Sequence, residues 1–293
     1  ASTMYDMSRV NAKGYFDAED SADAWASSDV LMLRPDRTPT RVAGCPPDGY
    51  APKGQLWGNP LYNWAKLAPT GYYWWMERLK GALNMYDVVR IDHFRAFDAF
   101  YAIEYGKPDA VDGEWLKGPG IAFFNAVKER FGNELPLIAE DLGTITDDVR
   151  VLLKQSGLPG MKVMQFGFFP DSDSDYLPHN YGNNSVVYIG THDNDTLRGW
   201  YESQSDETRR FTADYLRLSE AEGINWGFIK AMLATTADTA IITMQDILYL
   251  GSEARMNTPS TSGNNWQWRM RDMSPLTDVL AEKLNRITKI YSR

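Results

Sequence analysis

The chain has 293 residues, of which 43% are hydrophobic and 24% charged, a composition typical of a globular protein with a sizeable core. Its 30 basic and 39 acidic residues give a net charge of −9 without a lysine- and arginine-rich stripe, which argues against nucleic acid as a partner. The sequence holds neither an apolar run of the roughly 18 residues that span a membrane nor a signal peptide, so we expect no membrane partner.

The first third of the chain is predicted to be largely irregular. Residues 1–20 show neither helical nor strand periodicity, so we predict an irregular or truncated start over residues 1–19. Residues 20–33 predict a short helix capped by Asp20 or Ser21. Residues 42–66 are rich in glycine, proline and aromatics and predict a long ordered surface loop, because loops of that length are usually functional or disordered and aromatics argue against disorder.

From residue 72 onward, predicted helices and strands alternate. The helices cover residues 72–86, 119–132, 144–157, 205–219 and 225–238, and the strands cover residues 87–94, 135–143, 161–168, 185–195 and 239–248. Short β-branched strands alternating with helices indicate an α/β fold with a parallel sheet, either open and doubly wound or a (β/α)8 barrel. These are five well-patterned strands, and a sixth would have to lie in the poorly patterned start.

Three of these strands end in carboxylates. The strand "VVRID" ends at Asp92, "LPLIAED" ends at Glu140 and Asp141, and "VVYIGTHDND" leads to Asp193. In parallel α/β folds ligands bind at the C-terminal ends of the strands, so we predict that these side chains share one rim. Carboxylates repel one another, so their convergence suggests either a divalent metal or acid/base chemistry on a polar substrate.

Glycoside chemistry fits the second alternative. A retaining enzyme needs an ionised carboxylate as nucleophile and a protonated acid roughly 5 Å away. Asp92 suits the nucleophile because the neighbouring cation of Arg90 favours its anion, and the longer Glu140 suits the proton shuttle. His93 and His192 each lie beside a predicted catalytic acid and could donate to sugar hydroxyls.

Composition adds two further expectations. The 10 Trp, 16 Tyr and 12 Phe make 13% aromatic residues, and some of these rings are expected to line an open surface that suits the apolar face of a sugar. The single cysteine, Cys45, excludes an internal disulfide and suits a reducing cytoplasm. Nothing near it in sequence suggests an activated thiolate, so we expect it to be inert.

Six segments together resemble one family, the 4-α-glucanotransferases called amylomaltases or disproportionating enzymes, which are relatives of the α-amylases. The segments occur in the family's order and are "GQLWGNPLYNW", "RIDHFRAF", "LPLIAEDLG", "GLPGMKVMQFGF", "LPHNYGNNSVVYIGTHDNDT" and "GSEARMNTPSTSGNNWQWR". The resemblance implies that Asp92 is the nucleophile, Glu140 the acid/base and Asp193 the residue that stabilises the transition state. It also implies an α-1,4-glucan substrate, and we expect no cofactor and no metal.

The resemblance implies a (β/α)8 TIM-barrel-type fold. We expect one catalytic barrel domain over residues 1–293, with residues 42–66 as an inserted substrate-side loop. The family's first strands have no convincing counterpart before residue 20, so the expected barrel is incomplete at the N-terminus and holds about strands three to eight. An incomplete barrel exposes two sheet edges, which a second chain or a homo-oligomer could cover.

Several residues are predicted to bind the glucan, partly because of the resemblance. They are Arg90, His93, His192, Trp57, Asn59, Tyr62, Asp141 and Asn264. The segment "WQW" at residues 266–268 is either a core plug or a sugar platform, and the amides and the arginine around it favour the platform. The alternating acids of residues 171–175 suggest calcium but lack the glycine and distal glutamate of an EF-hand, and His179 is expected to be structural.

Three functional hypotheses follow. The first is retaining transfer of α-1,4-glucan segments, and the second is α-amylase-like hydrolysis with the same three acids. The third is an inactive glucan-binding or partial protein, which the missing first strands favour and the intact acids oppose. A purely structural role, in which Asp92 and Asp193 only cap the following helices, does not explain three acids at matched strand ends. We expect a cytoplasmic protein, with a plastid as the alternative.

Overall fold

A computed structural model describes the backbone of residues 4–6 and the chain over residues 21–48, 51–170, 174–219, 221–259, 261 and 263–293. The strands are β1 (Met4–Asp6), β2 (Arg41–Cys45), β3 (Gln55–Pro60), β4 (Val88–Ile91), β5 (Ala99–Glu104), β6 (Gly113–Lys117), β7 (Leu137–Ala139), β8 (Gly160–Val163), β9 (Ser185–Tyr188) and β10 (Thr239–Ile241).

The helices alternate with these strands over most of the chain. They are α1 (Ala22–Ala26), α2 (Trp64–Leu67), α3 (Tyr73–Leu83), α4 (Ile121–Phe131), α5 (Asp147–Ser156), α6 (Leu197–Ser203), α7 (Asp206–Leu216), α8 (Ile224–Leu233), α9 (Met244–Ile247) and α10 (Asp278–Ile290). The chain divides into two compact units, Ala1–Gly160 and Met161–Arg293. The expected single catalytic domain stays a prediction, because compactness does not report which residues act together.

The first unit contains a parallel sheet of order β1-β4-β7. Tyr5 pairs with Val89, and Arg90 pairs with Ile138. The strand β1 lies where the sequence predicted an irregular start, although a sixth strand was expected there if anywhere. Three residues are too few to show the period-two pattern, so pairing with β4 rather than local sequence defines this strand. The rest of residues 1–19 lies outside the described residues.

The first unit also contains an antiparallel sheet of order β3-β2-β5-β6, which the sequence did not predict. Residues 42–66 are therefore not one long loop: they hold most of β2, all of β3 and most of the short α2. The prolines and glycines that suggested a loop are concentrated between the two strands. The burial pattern of β2 is continuous rather than alternating, because small residues such as Ala43 and Gly44 pack closely, and this pattern hides the strand.

The core of the first unit is strongly aromatic. Trp75 of α3 is 1% exposed, and its ring centroid lies 5.3 Å from that of Tyr62 and 5.5 Å from that of Phe123. Phe97, which follows β4, lies 4.7 Å from Phe123 of α4 in the same way. Tilted and edge-to-face rings at these separations stabilise a core beyond the area that they bury.

The second unit has its own parallel sheet of order β10-β9-β8, in which Val187 pairs with Ala240. Its core contains Phe168, Phe228 and Met232, and the ring of Phe228 on α8 lies 5.2 Å from that of Phe168. All five of the well-patterned strands predicted from the sequence are present. Each is shorter than predicted: β4 and β7 end just before Asp92 and Glu140, and β8 gives way to a 3-10 turn over Met164–Phe166.

Side-chain caps fix several helix starts. The hydroxyl of Ser21 accepts a hydrogen bond from Ala24 N at the start of α1, which confirms the predicted cap, and Ser205 does the same for Thr208 N at α7. Gly132 ends α4 as predicted. Within the described part of the chain, every helix is too short or too polar to cross a membrane.

Truncation of Trp75 tests the aromatic core. We expect Trp75→Ala to lower the free energy of unfolding by about 3–5 kcal/mol, because a large buried ring leaves a cavity among packed neighbours. Tyr73→Ala, at a position 65% exposed on the same helix, is the matched control and should change it by less than about 0.5 kcal/mol. Urea unfolding followed by fluorescence and circular dichroism measures both. Equal effects would contradict the described core.

Candidate active site

Asp92 stands directly after β4, and its charge is balanced by Arg90 on the same strand. One Asp92 oxygen, Oδ1, lies 2.8 Å from Arg90 Nη1. The arginine side chain is 8% exposed, whereas the aspartate side chain is 26% exposed. Residues at i and i+2 of a strand share one face, so the ion pair follows from the local sequence. A partly exposed carboxylate beside a buried guanidinium is an ionised group that a ligand can reach.

Glu140 stands directly after β7 and is held against the end of β4. Its backbone N–H donates to Ile91 O at 2.9 Å, and its carbonyl accepts from Phe94 N at 3.0 Å. Its carboxylate accepts from His93 N at 2.6 Å through Oε2 and from Leu142 N at 2.8 Å through Oε1. Both oxygens of the predicted acid are therefore oriented by backbone N–H groups of the two strand-end loops.

Burial and a neighbouring carboxylate keep the proton on Glu140. The residue is 9% exposed, and loss of hydration raises its pKa from 4.5 to about 8, with the charge of Asp92 as the second cause. The cation of Arg90 and the two backbone N–H groups act in the opposite direction and are outweighed. The structure thus brings together an aspartate that is paired with a cation and a buried glutamic acid whose pKa is raised to about 8.

His93, which follows Asp92 in the chain and donates to Glu140, has an unusual backbone. Its φ is 54°, in the left-handed region that residues other than glycine seldom adopt, and this turn aims its N–H at Glu140. The ring of Trp57 meets the His93 ring edge to face at 4.9 Å. Burial, assisted by Arg95, lowers the pKa of His93 to about 3, so the imidazole is neutral at pH 7.

Two residues predicted to bind the ligand are buried in the protein interior. Tyr62 is 1% exposed, and its ring lies in the core among those of Trp64, Trp74 and Trp75, so its predicted contact with the glucan stays a prediction. Asn59 is 2% exposed. Side chains of β3 are half-buried or exposed in turn up to Gly58 and buried from Asn59 onward, so the end of this strand lies in the core.

Asp141, the second acid after β7, packs against Gly160. A Cβ at residue 160 would lie 2.7 Å from Asp141 Oδ2, closer than real Cβ contacts allow. Glycine at residue 160 therefore gives the carboxylate of Asp141 its place beside the start of β8. Any larger residue there would push Asp141 away from this position.

In the second unit, Asp193 lies in the loop after β9 and accepts hydrogen bonds from residues of a loop that is distant in sequence. Its Oδ1 accepts from Asn257 Nδ2 at 2.6 Å, and its carbonyl accepts from Arg255 Nη2 at 2.7 Å. Its Oδ2 lies 3.3 Å from His192 Nε2, and the Asp193 side chain is 45% exposed. The carboxylate is thus oriented on one side and open on the other.

The loop after Asn257 carries the remaining predicted residues. The ring of Trp266 lies 5.0 Å from the ring of His192 at an interplanar angle of 36°. Trp266 and Asn264 have φ values of 63° and 56°, so the loop is sharply turned at both residues. Asn264 is exposed. Trp266 is half-buried against a histidine, so the "WQW" segment is not a fully buried plug.

Reasoning from the sequence missed two residues that orient Asp193 and one buried arginine. Asn257 and Arg255 hold Asp193, and Arg95 lies in the turn after His93 with 7% exposure. The first two fall in a segment used for the resemblance, and the signal that could have found them was a cluster of polar residues after the last predicted strand. Arg95 offered no such signal, because a basic residue near a strand end is usually solvated.

Other predicted features have ordinary surroundings. Among the residues that the structure describes, no group of three or more histidine, cysteine, aspartate or glutamate side chains is arranged to hold a metal ion. Residues 171–173 of the acidic segment lie outside the described residues. His179 Nδ1 lies 2.7 Å from the Tyr215 hydroxyl oxygen, which agrees with a structural role. Burial raises the pKa of the Cys45 thiol to about 11, so it is not an activated thiolate.

Comparison with known proteins gives a consistent result. The sequence profile of the 4-alpha-glucanotransferase family matches residues 15–276. A curated 4-alpha-glucanotransferase of Clostridium butyricum is 48% identical over 278 residues, which cover 94% of this chain and 57% of the relative. The chloroplastic/amyloplastic 4-alpha-glucanotransferase of Solanum tuberosum is 43% identical over 275 residues, which cover 93% and 48%. The chain spans about half the length of the curated relatives that it matches.

Solved structures agree with the sequence comparisons. An amylomaltase of Streptococcus agalactiae in complex with acarbose has a TM-score of 0.94 and 38% sequence identity, with 100% of this chain and 58% of that chain covered. An amylomaltase of Corynebacterium glutamicum has a TM-score of 0.75 at 21% identity, with 99% and 46% covered, and it supports the fold alone. The α/β fold of this chain is therefore that seen in an amylomaltase.

Thermal unfolding across pH tests whether Glu140 is protonated in the folded protein. Folding raises the pKa of Glu140 from 4.5 to about 8. The protonated side chain therefore makes its full contribution to the free energy of unfolding below about pH 4.5. That contribution is lost as pH rises to about 8. We expect Glu140→Gln to raise Tm relative to the parent by an amount that grows between pH 5 and pH 8 and then levels.

The matched control is Glu104→Gln at the exposed end of β5, which removes one carboxyl far from the pair in sequence. Its Tm difference from the parent should vary much less over the same pH range. A Glu140→Gln difference that stays constant, or shrinks as pH rises, would show that Glu140 is ionised in the folded protein at neutral pH.

Proposed function

The chain belongs to the 4-alpha-glucanotransferase family, and from this premise we propose that it transfers α-1,4-glucan segments between maltooligosaccharides or starch-like glucans. The mechanism is a retaining double displacement. The observation that carries it is the ionised Asp92, paired with Arg90, beside the buried and protonated Glu140. A nucleophile and an acid in opposite protonation states at one pH are what this reaction requires.

In the first step, an Asp92 oxygen attacks the anomeric carbon of the donor glucan. The bond from that carbon to the departing glycosidic oxygen breaks, and the oxygen takes the proton from Glu140. The product is a glucosyl-enzyme ester and a shortened glucan with a free hydroxyl. Arg90 keeps Asp92 ionised before the attack, because the guanidinium at 2.8 Å favours the anion.

In the second step, the hydroxyl of an acceptor glucan attacks the same carbon. Glu140, now a carboxylate, takes the hydroxyl proton, and the bond to Asp92 breaks. The raised pKa of Glu140 serves both steps, since an acid near neutrality can give and recover a proton at little cost. Two inversions at one carbon return the α configuration to the product.

We further propose that Asp193 stabilises positive charge that develops on the sugar ring. Its support is the role that the resemblance implies, together with a carboxylate that Asn257 and His192 orient and that remains 45% exposed. A fixed anion that is already oriented needs little reorganisation when the charge appears. The exposed Asn264 and the half-buried Trp266 belong to the same proposal as residues that contact the glucan.

Transfer rather than hydrolysis requires that the acceptor is held while water is excluded. Half-buried aromatic residues near the predicted acids, Trp57 at His93 and Trp266 at His192, support this proposal because flat rings bind the apolar face of a sugar. α-Amylase-like hydrolysis could use the same acids, but membership of the family favours transfer. The expected absence of a cofactor stays a prediction.

The finer fold assignment is also a proposal. Six parallel strands, three in each unit, support a (β/α)8-type architecture with strands three to eight of the family barrel. A second chain or homo-oligomer at the sheet edges and a cytoplasmic or plastid location stay predictions. Size-exclusion chromatography with light scattering tests the homo-oligomer, since a single monomeric peak would contradict it.

Disproportionation of maltotriose tests the proposed reaction. We expect the parent chain to produce glucose together with longer maltooligosaccharides, and Asp92→Asn to retain less than about 1% of this activity, because an amide cannot form the ester intermediate. Asp112→Asn, at a carboxylate 74% exposed, is the control and should keep the parent rate. Reducing ends without longer products would indicate hydrolysis, and undiminished turnover by Asp92→Asn would exclude the mechanism.

The proposed role of Asp193 has a separate test. Asp193→Asn should lower kcat by roughly 10²-fold or more, because a preorganised charge contributes on that order. Asn257→Ala, which removes the donor to Asp193 Oδ1, should lower kcat by a smaller factor with little change in KM. Asn265→Ala, which disturbs hydrogen bonds to Thr258 and Thr261 in the same loop, is the control. A larger loss for Asn265→Ala than for Asn257→Ala would contradict the role of the amide.

A further inference from the structure

Arg95 is a buried cation next to the proposed active site for which the mechanism above has no use. It lies in the 3-10 turn Phe94–Phe97, three residues after Asp92, and is 7% exposed. Its Nε has no hydrogen-bond partner among the described residues, and burial lowers the pKa of the guanidinium although the nearby Cys45 and Asp98 act in the opposite direction. Burying an arginine is costly, so its retention needs a reason.

The contacts of Arg95 join two parts of the first unit. Its Nη1 donates to Thr144 O at 2.7 Å, and its guanidinium lies 4.0 Å from the ring centroid of Trp115 on β6. Trp115 is in turn fixed by Tyr101 of β5, whose ring lies 5.2 Å away. The planar guanidinium of Arg95 therefore lies on the ring face of Trp115 and donates a hydrogen bond to the carbonyl of Thr144.

The loop that Arg95 contacts directly follows the proposed acid, Glu140. Residues 141–146 lie between β7 and α5 without helix or strand structure, and Leu142 N donates to Glu140 Oε1 from within this loop. Thr144 is two residues further along. The other donor to Glu140, His93 N, precedes the turn that contains Arg95. Each backbone N–H that orients Glu140 therefore lies two residues from Arg95 or from its partner: His93 precedes Arg95, and Leu142 precedes Thr144.

We propose that Arg95 is a positioning residue, which braces the loop of Glu140 against Trp115 and so holds the carboxyl where it can give and take the proton. This proposal rests on the proposed function of Glu140. Small displacements of a catalytic group cost much of its effect, so a brace of this kind acts on the proton transfer more than on glucan binding.

The proposal has a chemical signature that simple loss of structure lacks. A glycosidic oxygen needs a proton to depart, whereas fluoride departs as an anion without one. Likewise, a hydroxyl acceptor needs a base, whereas azide attacks as an anion. A variant whose defect lies only in the placement of Glu140 should therefore be slow with maltotriose and nearly normal with α-maltotriosyl fluoride and azide.

Arg95→Met is the main variant, because methionine fills part of the volume without the planar donors. We expect kcat for maltotriose disproportionation to fall by at least about tenfold, a part of the roughly 10²–10⁴ that a positioned acid contributes, with KM within about twofold. Fluoride release with azide as acceptor should stay within about threefold of the parent. Trp115→Leu removes the supporting face and should show the same pattern with a smaller loss.

Arg78→Met is the matched control. Arg78 is also largely buried, with its side chain 11% exposed, and its guanidinium lies 5.1 Å from the Trp74 ring centroid on α3, away from the loop of Glu140. Its effect, through stability, should be the same with both substrate pairs. Circular dichroism and thermal unfolding confirm that each variant is folded at the assay temperature.

Glu140→Gln separates failure of this inference from failure of the proposed function. If fluoride and azide do not restore Glu140→Gln, Glu140 is not the acid/base and the proposed function is wrong. If they restore Glu140→Gln but Arg95→Met is equally slow with both substrate pairs, or equally fast as the parent with both, the positioning role is overturned. Selective recovery of both variants supports it.

Discussion

The proposed chemistry depends on two carboxyl groups that cannot both be ionised cheaply. Arg90 lies against Asp92 and assigns the negative charge to that residue, whereas Glu140 receives two backbone N–H groups that do not offset its burial. Its proton is therefore retained at neutral pH. The division of charge is produced by strand pairing, because hydrogen bonds of Glu140 with Ile91 and Phe94 fix the end of β7 against the end of β4.

The buried Glu140 and the left-handed backbone of His93 both lower the stability of the folded state, and the rest of the fold must offset them. A raised carboxyl pKa means that the folded state becomes less favourable as pH rises toward 8, and His93 adds a left-handed turn in a residue that has a side chain. The same unit contains a buried aromatic core around the 1%-exposed Trp75 and a parallel sheet in which β4 is paired on both sides. Strain at functional residues is typical where neighbouring structure determines the backbone.

Much of this site could be predicted from the sequence, because β-branched runs that end in acids mark the C-terminal ends of parallel strands. That pattern correctly placed Asp92, Glu140 and Asp193 in the loops that follow β4, β7 and β9. It did not reveal the antiparallel sheet, since β2 lacks alternation, and it gave no sign that the ring of Tyr62 is buried in the core. Arg95 and Asn257 escaped for a different reason: their roles depend on Thr144 and Asp193, distant in sequence, which only tertiary structure brings to them.

The protonation state of Glu140 can be observed directly by infrared difference spectroscopy of the parent chain and Glu140→Gln across pH. The account predicts a carbonyl band of a protonated carboxylic acid that is present at pH 7, absent in the variant, and lost from the parent with a midpoint of about 8. The Asp92 carboxylate should contribute no such band at neutral pH. A parent spectrum without that band at pH 7, with only ionised carboxylates, would contradict the division of charge on which the mechanism depends.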